Sequence, residues 1–189
     1  MKRKTTKEIL ADSFRELAET KAVNKITIQE IADNCDYSPA TFYRHFRDKY
    51  DLMAWDYAEH CRQIMAGLQK EARPWKDSVT EGCRYLYSQR QYMKNLFEHT
   101  SGHDSFVENM CDINIGILSG EVAKKTNRAE MDERLSFMIH FFCYGLGQIW
   151  WKWLTGSSSY NAESLAALIV EALPEPLKPY LLDSFERNL

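Results

Sequence analysis

Residues 26–52 read ITIQEIADNCDYSPATFYRHFRDKYDL, and the capping and turn signals in this stretch decide the fold. Thr27 followed by Glu30 has capping-box form: the Thr hydroxyl accepts from the third backbone N–H of a helix, and the Glu reaches back to the cap. Ile28, Ile31, Ala32 and Cys35 recur at helical spacing and give that short helix a buried face. Asn34 to Tyr37 reads as a tight turn. Ser38-Pro39 then opens a second helix, with Ser as the cap and Pro at the first helical position, where its missing N–H costs nothing. Phe42 and Phe46 sit one turn apart and point inward together. Two short helices joined by a tight turn form a helix-turn-helix pattern.

On either side the chain stays helical. Residues 5–21 place Leu10, Phe14, Leu17 and Ala18 on one face. Asp48 caps a further helix, along which Leu52, Trp55, Ala58, Cys61, Met65 and Leu68 recur at steps of three or four. Pro74 ends it. Helices are expected near 76–89, 91–98, 104–125, 129–155 and 161–173, with a short one near 177–186. Strand-like alternation never persists. The expected architecture is all-α: a three-helix head over residues 1–50, then a helical-bundle body for ligand binding and dimerisation over 51–189. The helix at 51–68 links the two.

The chain has 189 residues, 44% hydrophobic and 13% aromatic, which suits one domain or a small head on a larger body. The net charge of −3 excludes a uniformly basic nucleic-acid protein. The charge is uneven, however. Residues 1–50 carry ten Lys or Arg against eight Asp or Glu, and the rest carry 14 against 19. Within the head, Lys2, Arg3, Lys4, Lys7, Arg44, Arg47 and Lys49 cluster. The helix from Pro39 to His45 is held inward by Phe42 and turns Thr41, Tyr43, Arg44 and His45 outward. All four can donate hydrogen bonds to phosphates or base edges. A short helix held at its start fits the major groove, and a basic face on an acidic protein is the footprint of salt-dependent DNA binding.

The five cysteines have no ligand or redox-motif spacing and read as free thiols of a reducing cytoplasm. No secretory leader is visible. The apolar run from Phe137 to Leu154 is interrupted by His140, Gln148 and Lys152, so it reads as a buried helix and not a membrane span.

The strings from Ile26 to Ala32, Ser38, Thr41 to Phe46 and Asp48 to Leu52 resemble the DNA-binding head of the TetR family of bacterial regulators. The resemblance implies an all-helical homodimer on a palindromic operator, most often a repressor released when an effector enters the body. It implies that Thr27, Tyr43 and Lys49 contact phosphates. Ser38, Pro39, Ala40, Thr41 and Arg44 would lie in the groove with His45 at its edge, and Arg3, Lys4 and Thr6 would reach the adjacent backbone or minor groove. One departure is Asp36, where the family usually has Gly because the turn needs a left-handed residue; Asp tolerates that conformation better than most. The string from Phe142 to Leu154, with Glu163 to Leu165, resembles one C-terminal type of the family, that of the activator of dihydroxyacetone kinase genes. That type keeps open an activator, or a DNA-bound adaptor gated by a protein partner.

In the body, the helix at 129–155 is apolar over so much of its surface that it needs cover on two sides. Leu146, Ile149, Trp150 and Trp153, with Leu165, Leu168 and Ile169 from the next helix, are the candidates for a four-helix dimer interface. Gly145 and Gly147 would allow close approach. Tyr85, Phe97, His99, Phe106, Met110, Phe141 and Tyr144 are the candidates for an effector pocket. His99 and His103 lack the further ligands a metal needs, and no metal or cofactor is expected. GxSxG, P-loop, GxGxxG and HExxH are all missing, so an enzyme is the remote alternative.

Overall fold

The computed structural model describes residues 4–71, 74–102, 105–126, 131–156 and 159–182, with the backbone alone for 68–71. The described residues form α-helices without strands. The head is α1 (Thr6–Ala18), α2 (Ile28–Asp33) and α3 (Pro39–Tyr43). A 3-10 turn at Val23–Lys25 joins the first two. The body comprises α4 (Lys49–Glu71), α5 (Trp75–Ser88), α6 (Arg90–His99), α7 (Phe106–Thr126), α8 (Glu133–Thr155), α9 (Ala162–Glu171) and a short α10 (Lys178–Leu181). The all-helical expectation and the placing of the elements agree with this order.

Helices α1 and α2 start as their sequences dictate. Thr5 and Thr27 each close a capping box, with Glu8 and Glu30. Lys21 adds a 2.5 Å hydrogen bond to Glu30. That bond, followed by those from Thr27, holds the Glu30 carboxyl down at about 2, so the cap stays charged far into acid. Leu10, Phe14, Ile26, Ile31 and Phe42 are fully buried and form the head's core. Asp36 has φ 57°, the left-handed residue that the turn requires. Asp36→Val should therefore lower stability by about 1–2 kcal/mol, while Asp36→Gly should not. Thermal unfolding of the two variants checks this; equal melting points would remove the strain argument.

Helix α4 spans 23 residues, about 34 Å, and runs from the head deep into the body. It packs on α1 at one end and on α5 and α7 further along. In the body, α7 pairs with α8 and α5 with α9. Gly147 makes the first pairing close: a Cβ there would lie 2.5 Å from the Cys111 sulfur. Gly147 therefore serves contact within the chain, whereas Gly145 is exposed and has open space around it. The Arg90 guanidinium donates to Leu154 O and Gly156 O, both at 2.9 Å, which satisfies carbonyls at the end of α8.

Candidate nucleic-acid interface

Helix α3 is built to be presented. The Ser38 hydroxyl accepts from the Thr41 N–H at 3.2 Å, and Pro39 fills the first helical position. Phe42 is fully buried and packs on Phe46, with ring centroids 5.7 Å apart. The opposite face is open: Ser38, Ala40, Tyr43 and Arg44 are exposed, and Pro39, Thr41 and His45 are half-buried. Arg44 donates to the Thr41 hydroxyl at 3.1 Å, which aligns the guanidinium along the helix. A row of hydroxyl, methyl and guanidinium groups on a helix this narrow can read base edges in a major groove.

The flanking groups are more tied down than their charges suggest. The Lys49 ammonium donates to Asn24 O at 2.9 Å and Ile26 O at 2.7 Å. It thereby fastens the strand of chain that delivers Thr27, the exposed cap of α2. Lys4 pairs with Asp12 at 2.5 Å, and Lys7 lies 5.1 Å over the Phe46 ring. Thr6 opens α1. Arg3 lies outside the described residues.

The body holds an apolar cleft lined from α4, α5, α7, α8 and α9. Among the pocket candidates, Tyr85 alone lines it. Phe97, Phe106 and Met110 are core, with the Phe97 and Phe106 rings 5.4 Å apart. The His99 ring nitrogen sits 3.1 Å from Asn95 O. Phe141 and Tyr144 project outward, 72% and 49% exposed. The cleft is instead lined by Tyr57, Cys61, Ile64, Met65, Trp75, Asn114 and Trp150, among others.

The interface candidates divide as well. Leu146, Trp150, Trp153, Leu165 and Ile169 are buried against their own bundle, because that stripe of α8 and α9 faces α7 and α5. Ile149 and Leu168 are exposed. Phe137, Phe141, Tyr144 and Trp151 of α8 are exposed as well, and at helical spacing these four share one face, on which Phe137 stacks on Phe141. A face of this kind on a folded chain marks an interaction surface.

Sequence reading missed the groups that dock the head onto the body. Asn95 of α6 accepts from the Val23 N–H at 3.0 Å and donates to Ala18 O and Lys21 O at 2.7 and 2.8 Å. Nearby, Arg15 of α1 lies 3.3 Å from Asp56 of α4, and the Tyr92 hydroxyl of α6 donates to the same carboxylate at 3.4 Å. Burial pushes the Asp56 carboxyl up and Arg15 pulls it back down. A polar residue inside an apolar stripe, Asn95 between Met93 and Leu96, was the one available signal.

A family model for bacterial regulatory proteins of the tetR family matches residues 10–54, and a transcriptional regulator C-terminal region matches residues 73–174. The HTH-type dhaKLM operon transcriptional activator DhaS of Lactococcus lactis is 21% identical over 111 residues, which is 57% of this chain and 59% of that protein. The chain thus aligns with under two thirds of that relative's length. Among solved structures, a dihydroxyacetone kinase operon activator DhaS superposes with a TM-score of 0.64 at 17% identity, covering 93% of this chain and 98% of that one. FadR from Bacillus halodurans, a fatty acid degradation regulator, gives 0.60 at 14% identity, over 91% and 96%. Thermus thermophilus FadR, a repressor in complex with lauroyl-CoA, gives 0.58 at 13%, over 88% and 92%. These likenesses are of fold.

Proposed function

The chain belongs to the tetR family of bacterial regulatory proteins, which are DNA-binding transcriptional regulators, and we propose how its parts divide that work. Residues 1–50 bind a palindromic operator as the head of a homodimer, and residues 51–189 sense and dimerise. The presented face of α3 carries this reading. Ser38, Pro39, Ala40, Thr41 and Arg44 enter the major groove, with His45 at its rim. Thr27, Tyr43 and Lys49 meet the phosphates, and Arg3, Lys4 and Thr6 approach the neighbouring backbone or minor groove. The reading is of a cytoplasmic regulator and not of an enzyme. No described helix is long and apolar enough to cross a membrane.

Release follows from α4. Its first residues, Lys49 and Tyr50, stand beside the operator face, and its later residues Tyr57, Cys61, Ile64 and Met65 line the cleft. A molecule in the cleft that shifts α4 changes the separation of the two heads, a coupling worth typically about 1–3 kcal/mol. Repression lifted by such an effector is the first reading. Activation, or gating by a protein partner, is the second, because the curated relative is an activator. Transcription from the operator's own promoter, with and without the protein, separates them.

Two substitutions test the operator face. Lys49→Ala is expected to weaken binding to the operator and to random DNA alike, by about ten-fold, and to reduce the slope of log affinity against log salt by about 1. Arg44→Ala is expected to alter the ranking of operator variants, since a bidentate base contact discriminates by about 1–3 kcal/mol. Quantitative gel shifts at several salt concentrations measure both. An unchanged ranking in Arg44→Ala overturns its base-reading role.

A further inference from the structure

We propose that the body cleft takes a small uncharged, mainly apolar molecule, and that Gly82 is there to keep room for it. The proposal rests on the regulator reading only in calling that molecule an effector.

The lining states the ligand's chemistry. Among the described residues, no formally charged side chain lines the cleft. Its polar groups are few. The Asn114 amide donates to the Tyr57 hydroxyl at 2.8 Å and to Met110 O at 2.7 Å, and the Ser78 hydroxyl donates to Trp75 O at 2.5 Å. Burial pushes the Tyr57 and Tyr85 phenols up and the Cys61 thiol to about 11, so these groups stay neutral as well. A carboxylate, sulfonate or phosphate entering this space would leave water and meet no counter-charge among the described lining residues, which is strongly unfavourable. An apolar body with one hydrogen-bonding group meets indole, phenol and amide instead.

Gly82 supplies the second observation. Trp75, Ser78, Val79, Gly82, Tyr85 and Leu86 form one stripe of α5 turned to the cleft, and Gly82 is at its centre. A glycine inside a helix is less favourable than alanine. Close packing does not require it here, because a Cβ at 82 would meet nothing within 4 Å although the residue is half-buried. Gly116, Gly120 and Gly145 are equally clear but exposed. At 82 the empty space belongs to the cleft, and a side chain there would occupy it. At the cleft's edge Tyr85 stacks on His60 of α4, ring centroids 3.3 Å apart, so an occupant beside Tyr85 bears on the helix that starts at the operator face.

The test uses a matched pair of fluorescent probes on the full chain. N-phenyl-1-naphthylamine is neutral, and 1-anilinonaphthalene-8-sulfonate adds a sulfonate to the same skeleton. The wild type is expected to bind the neutral probe saturably and at least about ten-fold more tightly than the anion. Gly82→Leu is expected to lose at least about ten-fold in that affinity, with helicity retained. Gly116→Leu, with the same gain in helix propensity outside the cleft, is expected to bind as the wild type does. Should Gly82→Leu misfold, Ile64→Phe fills the cleft from α4 and is expected to give the same loss. Equal affinity for the two probes, no saturable binding of the neutral probe, or unaltered binding in a folded cleft-filled variant overturns the proposal. Loss of operator recognition by the wild type would instead overturn the regulator reading, whatever the probes do.

Discussion

Asn95→Leu should lower stability by about 3 kcal/mol or more, with a fall in melting temperature of about 6–12 °C. The side chain is 8% exposed and serves three backbone groups of the head: the Val23 N–H and the carbonyls of Ala18 and Lys21. Leucine keeps the branched outline but leaves those groups without partners, at about 1–3 kcal/mol each where they are buried. Asn95→Asp is the informative companion. It keeps an acceptor for Val23 but turns a carboxylate toward two carbonyls, so it should be at least as damaging. Calorimetry on both variants checks the stability. Operator affinity measured well below the transition shows whether the head also loses its fixed seat on α6. A melting point within about 2 °C of wild type for Asn95→Leu would show that water replaces the amide and that the bond is not structural.

Phe141→Glu should leave the protomer folded and abolish tight operator binding. Phe141 is 72% exposed on α8, beside Phe137 and Tyr144, so the substitution removes nothing from the protomer's core. In the proposed homodimer this face meets its copy, and an unpaired carboxylate at the centre of an apolar interface is strongly opposed. A monomer reaches only one half-site, whereas two heads standing about 34–36 Å apart read both. Losing that second attachment should weaken binding by roughly 10²–10⁴-fold. Sedimentation velocity should show one species at half the wild-type mass, with unaltered helicity. Trp150→Glu is the contrast: Trp150 is 7% exposed and faces the cleft, so its replacement should unfold the body without yielding a soluble monomer. A monomeric wild type, or a dimeric Phe141→Glu variant with full affinity, removes the interface from this face.

The head was legible because its signals are local. Thr27 with Glu30, Ser38 with Thr41, and Asp36 at the turn act over one helical turn, and each takes the position its chemistry requires. The body was legible in outline only. Helix α8 is apolar nearly all round, so periodicity announces cover on two sides without saying which side meets which neighbour. Leu146, Trp150 and Trp153 turn out to serve the protomer's own core, while Phe141 and Tyr144, which looked like pocket residues, stand in the open. Tyr85 lines the cleft because it sits on the stripe of α5 that faces it.

From the order of its residues alone, this protein reads as all-helical, with a helix-turn-helix near its start that turns Thr41, Tyr43, Arg44 and His45 outward; of these, Tyr43 and Arg44 are exposed and Thr41 and His45 half-buried. Caps, proline and apolar spacing are short-range forces that need no distant partner. Tertiary packing decided the rest: which face of α8 remains open, where the cleft lies, and that Asn95 binds a head 72 positions away from it at Val23. Those outcomes depend on which helices come together, and one helix's periodicity is compatible with several neighbours until the close approach of α7 to Gly147 and of α9 to α5 selects among them.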